Sequence, residues 1–222
     1  MENDLLDFWT EVNMNNLQKY YLHIEGMDLA GKTTIANIIA KKSKKNWIIY
    51  NNCLSKNNVI QLFEKKIRKQ KIYDEEIYGY LHYVTLVADI KYFKLNRNII
   101  QDSMLLLRSI NYHKEKNNNT LVHLLEELVP KHPIPTTSIY LTTSIDTRKK
   151  RLLKRIDSNS NKPTKNDLLI LNDPDRFEKR DKRLMELSKA YFNSLVLDTS
   201  DMTEEETADY VMKLCKSRSS ID

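Results

Sequence analysis

The 222-residue sequence predicts an α/β protein, with a five-stranded parallel sheet covered by helices on both faces. Three observations predict it. An apolar, β-branched and aromatic run, YYLHI, leads into a glycine-framed turn and then into the helical pattern of TTIANIIAKKSKK. Strand-like and helix-like segments alternate along the rest of the chain, the pattern of a parallel sheet with crossover helices. The length, with 41% hydrophobic residues, supports a single sizeable core and needs no second domain.

The turn decides the kind of α/β protein. Gly26, Gly31, Lys32 and Thr33 satisfy G-x-x-x-x-G-K-[ST], the phosphate-binding loop, and two of the chain's three glycines are spent on it. Glycine lets the backbone approach phosphate oxygens in conformations closed to residues with a Cβ, and successive N–H groups then face the anion. The helix opening at Lys32 adds the positive end of its dipole. Lys32 is placed to meet the β- and γ-phosphates, and the Thr33 hydroxyl to ligate Mg²⁺. The expectation is therefore a P-loop NTPase fold binding ATP through Gly26, Met27, Asp28, Leu29, Ala30, Gly31, Lys32, Thr33 and Thr34.

Taken in order, residues 1–19 form an extension before the domain, which spans 20–222. Leu5, Leu6, Phe8, Trp9 and Val12 fit one side of a short helix expected to pack on the domain's surface. WIIY (47–50) reads as a buried strand, 57–70 as an amphipathic helix and 74–95 as a long helix with Tyr78, Leu81, His82, Thr85, Leu86 and Ala88 inward. NIIQD (98–102) is a strand ending in an aspartate, followed by helices over 104–114 and 120–129. The prolines of PKHPIP exclude regular helix there. SIYLTT is a strand, TRKKRLLKRI a helix, and DSNSNKPTKN (157–166) a polar loop. A helix over 175–192, the strand LVLDTS and a closing helix over 204–216 complete the chain. A parallel sheet binds ligands outside the carboxyl ends of its strands, which gathers the loop, Asn51, Asp102, Thr142 and Asp198.

Composition narrows the setting. No apolar run approaches about 18 residues, so no membrane span is expected. The acidic start, MENDLLDFW, lacks the features of a secretory signal, and Cys53 and Cys215 are too few for a disulfide framework. A cytoplasmic location follows. The net charge of +6 is spread over helical stretches rather than one block, so the basic balance fits a protein of anionic nucleotides and does not point to nucleic acid.

The loop reads E-G-x-D-x-A-G-K-T-T, with Glu25 and Asp28 added to the core motif. This resembles the thymidylate kinase and deoxynucleoside kinase branch of the P-loop kinases, thymidylate kinase most closely, from Tyr20 onward. The resemblance implies that Asp28 faces the acceptor's sugar and that Asp102 supports magnesium and the acceptor. It implies that Arg151 and Arg155 open a lid over about 151–176, with DRFE (Asp175 to Glu178) beyond it, and that Asp198 lies in the turn beside adenine. The catalytic set is then Lys32, Asp28, Asp102, Arg151 and Arg155, with Arg151 also on ATP and with Thr33 and Asp102 on Mg²⁺. Tyr83, with Tyr78, Tyr80 and Phe93, would supply base stacking, and a homodimer is implied.

The departures fall on the acceptor side. Where the family has arginine, the chain has the uncharged Asn51 to Leu54, Ser103 after Asp102, and Ile90 after Asp89. Arg108 and Lys91 are the nearby cations left to hold an acceptor. A monophosphate in a pocket so neutral would lose charge-assisted hydrogen bonds of about 1.5–3 kcal/mol each, which makes thymidine monophosphate a poor expected substrate. The expected activity is ATP- and Mg²⁺-dependent transfer of the γ-phosphoryl group to a nucleotide, nucleoside or similar small acceptor, with Asp28, Arg108 and Tyr83 on the acceptor. The other readings are a P-loop ATPase and a nucleotide-binding regulator acting through a partner.

Overall fold

The structure is a computed structural model describing residues 19–54, 59–157 and 163–219. The expected amino-terminal helix and residues 158–162 of the expected lid lie outside the described residues.

Five parallel strands, β1 (Tyr21–Glu25), β2 (Trp47–Asn52), β3 (Asn98–Met104), β4 (Thr137–Thr142) and β5 (Leu195–Asp198), lie in the order β2-β3-β1-β4-β5. β1 is central and buried at all five positions, which a strand covered on both faces requires. The edge strands β2 and β5 are partly or largely exposed.

Successive side chains of β1 feed opposite faces. Leu22 and Ile24 pack with Ile35 and Ile39 of α1 (Lys32–Lys42) and with Ala208 and Val211 of the closing helix, Glu204–Ser219. The other face carries α2 (Val59–Gln70), α3 (Glu75–Tyr92), α4 (Leu105–Glu115) and α5 (Asn119–Glu126), followed in the chain by a 3₁₀ turn at Val129–Lys131. Leu86, Leu107, Ile110 and Leu125 from these helices join Phe177 and Leu184 in the larger core.

Beyond β4 come α6 (Ile145–Asp157), α7 (Lys165–Asn172) and α8 (Pro174–Phe192), then β5 and α9, the closing helix. The sequence expectation runs a loop to 166 and assigns no helix between that loop and 175, so α7 is a correction. Its start is a capping box: Thr164 accepts from the Asp167 amide at 3.1 Å and Asp167 accepts from the Thr164 amide at 2.8 Å. Asp173 then caps α8, Pro174 occupies its first turn, and Asn193 ends it in the left-handed conformation. The other expected elements fall within a few residues of their observed bounds, and the strand ends place the loop, Asn51, Asp102, Thr142 and Asp198 on one rim of the sheet.

Candidate active site

The loop begins where β1 stops. Gly26 has φ +145°, and a Cβ there would stand 2.3 Å from the Leu141 carbonyl oxygen of β4, so both conformation and space demand glycine. Leu29 (φ 64°) and Gly31 (φ 94°) turn the chain back before α1 opens at Lys32. The Lys32 ammonium is buried and donates to the Met27 carbonyl at 3.1 Å. Burial, then the nearby Arg108, lower its pKa, while Asp28, Glu25 and Asp102 oppose that shift. Thr33 donates through its hydroxyl to the Asp102 carboxylate, which stands near the end of β3. A cavity of about 190 Å³ lies over the loop, with Gly31, Lys32, Thr33 and Thr34 on one side and Arg155 and Asp167 on the other.

Beneath the loop is a group that the sequence reading names only as part of the motif. Glu25 is fully buried at the end of β1. It accepts from the Gly26 amide at 3.0 Å, the Met104 amide at 2.8 Å, and Nε and Nη2 of Arg108 at 3.2 Å each. Burial alone would raise the Glu25 pKa, but Arg108, His23 and Lys32 outweigh it and hold the carboxyl at about 2. Arg108 in turn donates to the Gly26 carbonyl at 2.6 Å and lies 3.7 Å from the Asp28 carboxylate. One arginine of α4 thus braces the loop and faces Asp28. Ser103, where the family resemblance expects arginine, adopts left-handed backbone (φ 69°) just before Met104 meets Glu25.

The arginines of α6 divide. Arg148 reads in sequence as no more than a surface-helix cation, yet it is among the largest fully buried side chains. It donates to the carbonyls of Thr143 (3.1 Å) and Asp28 (2.6 Å), pairs with Asp181 at 2.8 Å and lies over the Phe177 ring. Arg151 donates to the Leu29 carbonyl at 2.9 Å, and Arg155 meets Asp167 at 3.4 Å on the cavity wall that faces the loop. Asp198 stands apart from that cavity at the end of edge strand β5, where it accepts from the amide and hydroxyl of Ser200.

A second cavity, of about 230 Å³, opens on the other side of Arg108. Arg68 of α2, Glu75 and His82 of α3, Asn111 of α4 and Arg180 of α8 are among its walls. The α3 wall depends on Gly79, where a Cβ would lie 2.8 Å from the His113 ring and 2.4 Å from Leu121. This cavity is not short of cations. Arg68 and Arg180 join Arg108, whereas Lys91 is exposed and lies over the Tyr92 ring instead. The aromatic expectation also shifts. Tyr83 packs on the core rather than lining the cavity, and Tyr78 is buried behind the Arg68 guanidinium at 4.5 Å. Tyr80 is on the outside of α3 and Phe93 packs against Tyr21, while Tyr112, unnamed by sequence reasoning, lines the cavity. No sequence motif announces Arg68 or Arg180, because they arrive on separate helices.

Chemically, the first cavity combines a glycine-turned backbone, a buried ammonium and a hydroxyl–carboxylate pair, a setting suited to a polyphosphate. The Thr33 hydroxyl and Asp102 carboxylate are hard oxygen donors of the kind Mg²⁺ takes alongside phosphates. The second cavity offers several guanidinium groups a short distance away. Among the described residues no helix is long and apolar enough to cross a membrane.

Comparison with known proteins fits this arrangement. Residues 24–209 match the sequence model of the thymidylate kinase family. No curated protein matches the chain by sequence. Among solved structures, the thymidylate kinase of Candida albicans superposes with a TM-score of 0.61 at 16% identity, over 90% of this chain and 92% of that one. The deoxyadenosine kinase of M. mycoides with bound dCTP gives 0.55 at 23%, over 88% and 98%. The YorR protein of Bacillus subtilis, in complex with phosphorylated GDP, gives 0.51 at 17%, over 88% and 95%. At those identities the structural likeness speaks for the fold alone, and the family match carries the rest: this chain belongs to the thymidylate kinase family and is a nucleotide kinase.

Proposed function

We propose that this protein transfers the γ-phosphoryl group of ATP, with Mg²⁺, to a nucleoside monophosphate. The observation that carries the reading is the pair of cavities meeting at Arg108 and Asp28, one over the phosphate-binding loop and one lined by Arg68, Arg108 and Arg180. The amides of Gly26 to Thr34 and the Lys32 ammonium cradle the phosphates of ATP, and Thr33 and Asp102 hold the metal. Mg²⁺, when bound, neutralises charge on the β- and γ-phosphates.

The chain's own groups do the positioning. Arg151 and Arg155, on one face of α6, stand against the loop where negative charge spreads over the transferring group. A guanidinium there contributes on the order of 10³-fold or more to rate. Asp28, at the junction of the cavities, orients the acceptor, and Arg108 fixes the loop from below while offering charge to the acceptor. The domain over 20–222, with a lid over about 151–176, belongs to the same reading. Three guanidinium groups also reverse the charge argument against a monophosphate, so a dianion is the acceptor the second cavity favours.

The test is product identity. Incubation with Mg²⁺ and ATP and a panel of nucleosides and nucleoside monophosphates, read by mass spectrometry, should yield nucleoside diphosphates. Phosphorylation confined to nucleosides would overturn the monophosphate assignment, and ADP formed with no phosphorylated product would favour an ATPase.

A further inference from the structure

Glu115 is the last residue of α4, where the helix dipole disfavours a carboxylate. Three guanidinium groups of α8 surround it: Arg176 at 2.6 Å, Arg180 at 2.8 Å and Arg183 at 3.6 Å. Their spacing of four and three residues puts all three on one helical face. Asn111, one turn back on α4, adds two bonds. Its side-chain oxygen accepts from Arg183 Nε at 2.6 Å, and its amide donates to the Arg180 carbonyl at 3.1 Å.

The three cations differ in where they point. Arg176 is 47% exposed and Arg183 29%, whereas Arg180 is 12% exposed and lines the second cavity, its Nη1 donating to Asn166 at 3.0 Å. Glu115 is not part of that cavity's wall, so whatever it does there it does through Arg180. Guanidinium groups this close repel one another, and a single carboxylate offsets only part of the repulsion while fixing their positions. Three cations on one anion also leave positive charge at the cavity's edge for an anionic ligand.

We propose that Glu115 is a positioning residue for the acceptor, holding Arg180 so that its guanidinium contacts an acceptor bound in the second cavity. The proposal rests on the reading of that cavity as the acceptor site. Removing the charge but not the shape, by Glu115→Gln, frees α8's arginines to turn toward water. The acceptor then loses an aligned charge-assisted bond, while the phosphate-binding loop is untouched.

The experiment is steady-state kinetics on the full chain with Mg²⁺, ATP and a nucleoside monophosphate. Glu115→Gln should raise the acceptor KM about tenfold with the ATP KM unchanged. Arg180→Ala should raise it at least as much, and the double variant should be no worse than Arg180→Ala alone, the non-additivity expected of groups acting as one unit. An unchanged acceptor KM in Glu115→Gln, or additive effects in the double variant, would overturn the proposal. Should Glu115→Gln fail to fold, Arg180→Gln carries the test, and it must raise the acceptor KM without lowering the melting temperature or shifting the ATP KM. If Arg68→Ala and Arg108→Ala also leave the acceptor KM unmoved, the reading of the cavity itself fails. If those two respond while Glu115 and Arg180 do not, only this inference fails.

Discussion

The cavity over the phosphate-binding loop and the cavity beyond Arg108 are neighbours built in opposite ways. The first is largely one contiguous stretch, Gly26 to Thr34, in which backbone geometry and a helix start do most of the shaping. The second takes side chains from α2, α3, α4, α7 and α8, separated by as much as Arg68 is from Arg180. A backbone-built site tolerates little change in residue type, because Gly26 has a carbonyl where a Cβ would go. A side-chain-built site can lose an arginine from one element and regain it from another. Arg68, Arg108 and Arg180 come from three separate helices, so the charge of this cavity does not depend on the uncharged positions after β2, after Asp102 and after Asp89.

The comparison can be broken at the residue shared by both halves. Arg108→Ala should have the larger effect, since it removes the main cation facing buried Glu25 as well as a wall of the second cavity. Breaking a buried pair by removing one partner costs about 3–5 kcal/mol, so the melting temperature should fall together with kcat/KM for both substrates. Arg68→Ala should do less. Arg68 lines the second cavity and not the first, so the acceptor KM should rise about tenfold with the ATP KM nearly unchanged; because Arg68 also pairs with buried Glu64 and covers Tyr78, the melting temperature should fall, though less than in Arg108→Ala. Equal effects of the two substitutions on ATP and acceptor would show that the halves are not separable.

A third test reads pH dependence in place of substrate dependence, and it concerns Glu25. Its folded pKa of about 2 lies below the ordinary 4.5, so its stabilisation is present above about pH 4.5 and lost as pH falls toward 2. The shift corresponds to on the order of 3 kcal/mol. Urea midpoints followed from neutral to acid pH should therefore fall less steeply in Glu25→Gln than in wild type below about pH 4.5. Parallel curves would show that Glu25 titrates alike in the folded and unfolded chain.

What the sequence made legible follows the same division. The loop, the strand ends and most helices were readable because each is set by local pattern: glycine spacing, apolar runs, period. Helix α7 was missed although Thr164 and Asp167 spell its capping box, since the polar residues before it read as loop. Glu25 and Arg148 were undervalued because burial is a property of the packed whole. A charge at a strand end or on a basic helix carries no local sign that it will sit at 0% or 1% exposure with its partners supplied by other elements. The wall of the second cavity was least readable, since Tyr83 packs on the core while Arg68 and Arg180 line the cavity.

The central claim is that the loop supplies the donor and the cavity beyond Arg108 the acceptor of one reaction. The most direct measurement is ADP formation from Mg²⁺ and ATP, with and without a nucleoside monophosphate, in wild type and Lys32→Ala. Wild type should form ADP at an appreciable rate only with the acceptor, and folded Lys32→Ala should lose that rate by about 10³-fold. Equal ADP formation with and without the acceptor, or near-wild-type turnover in folded Lys32→Ala, would contradict it.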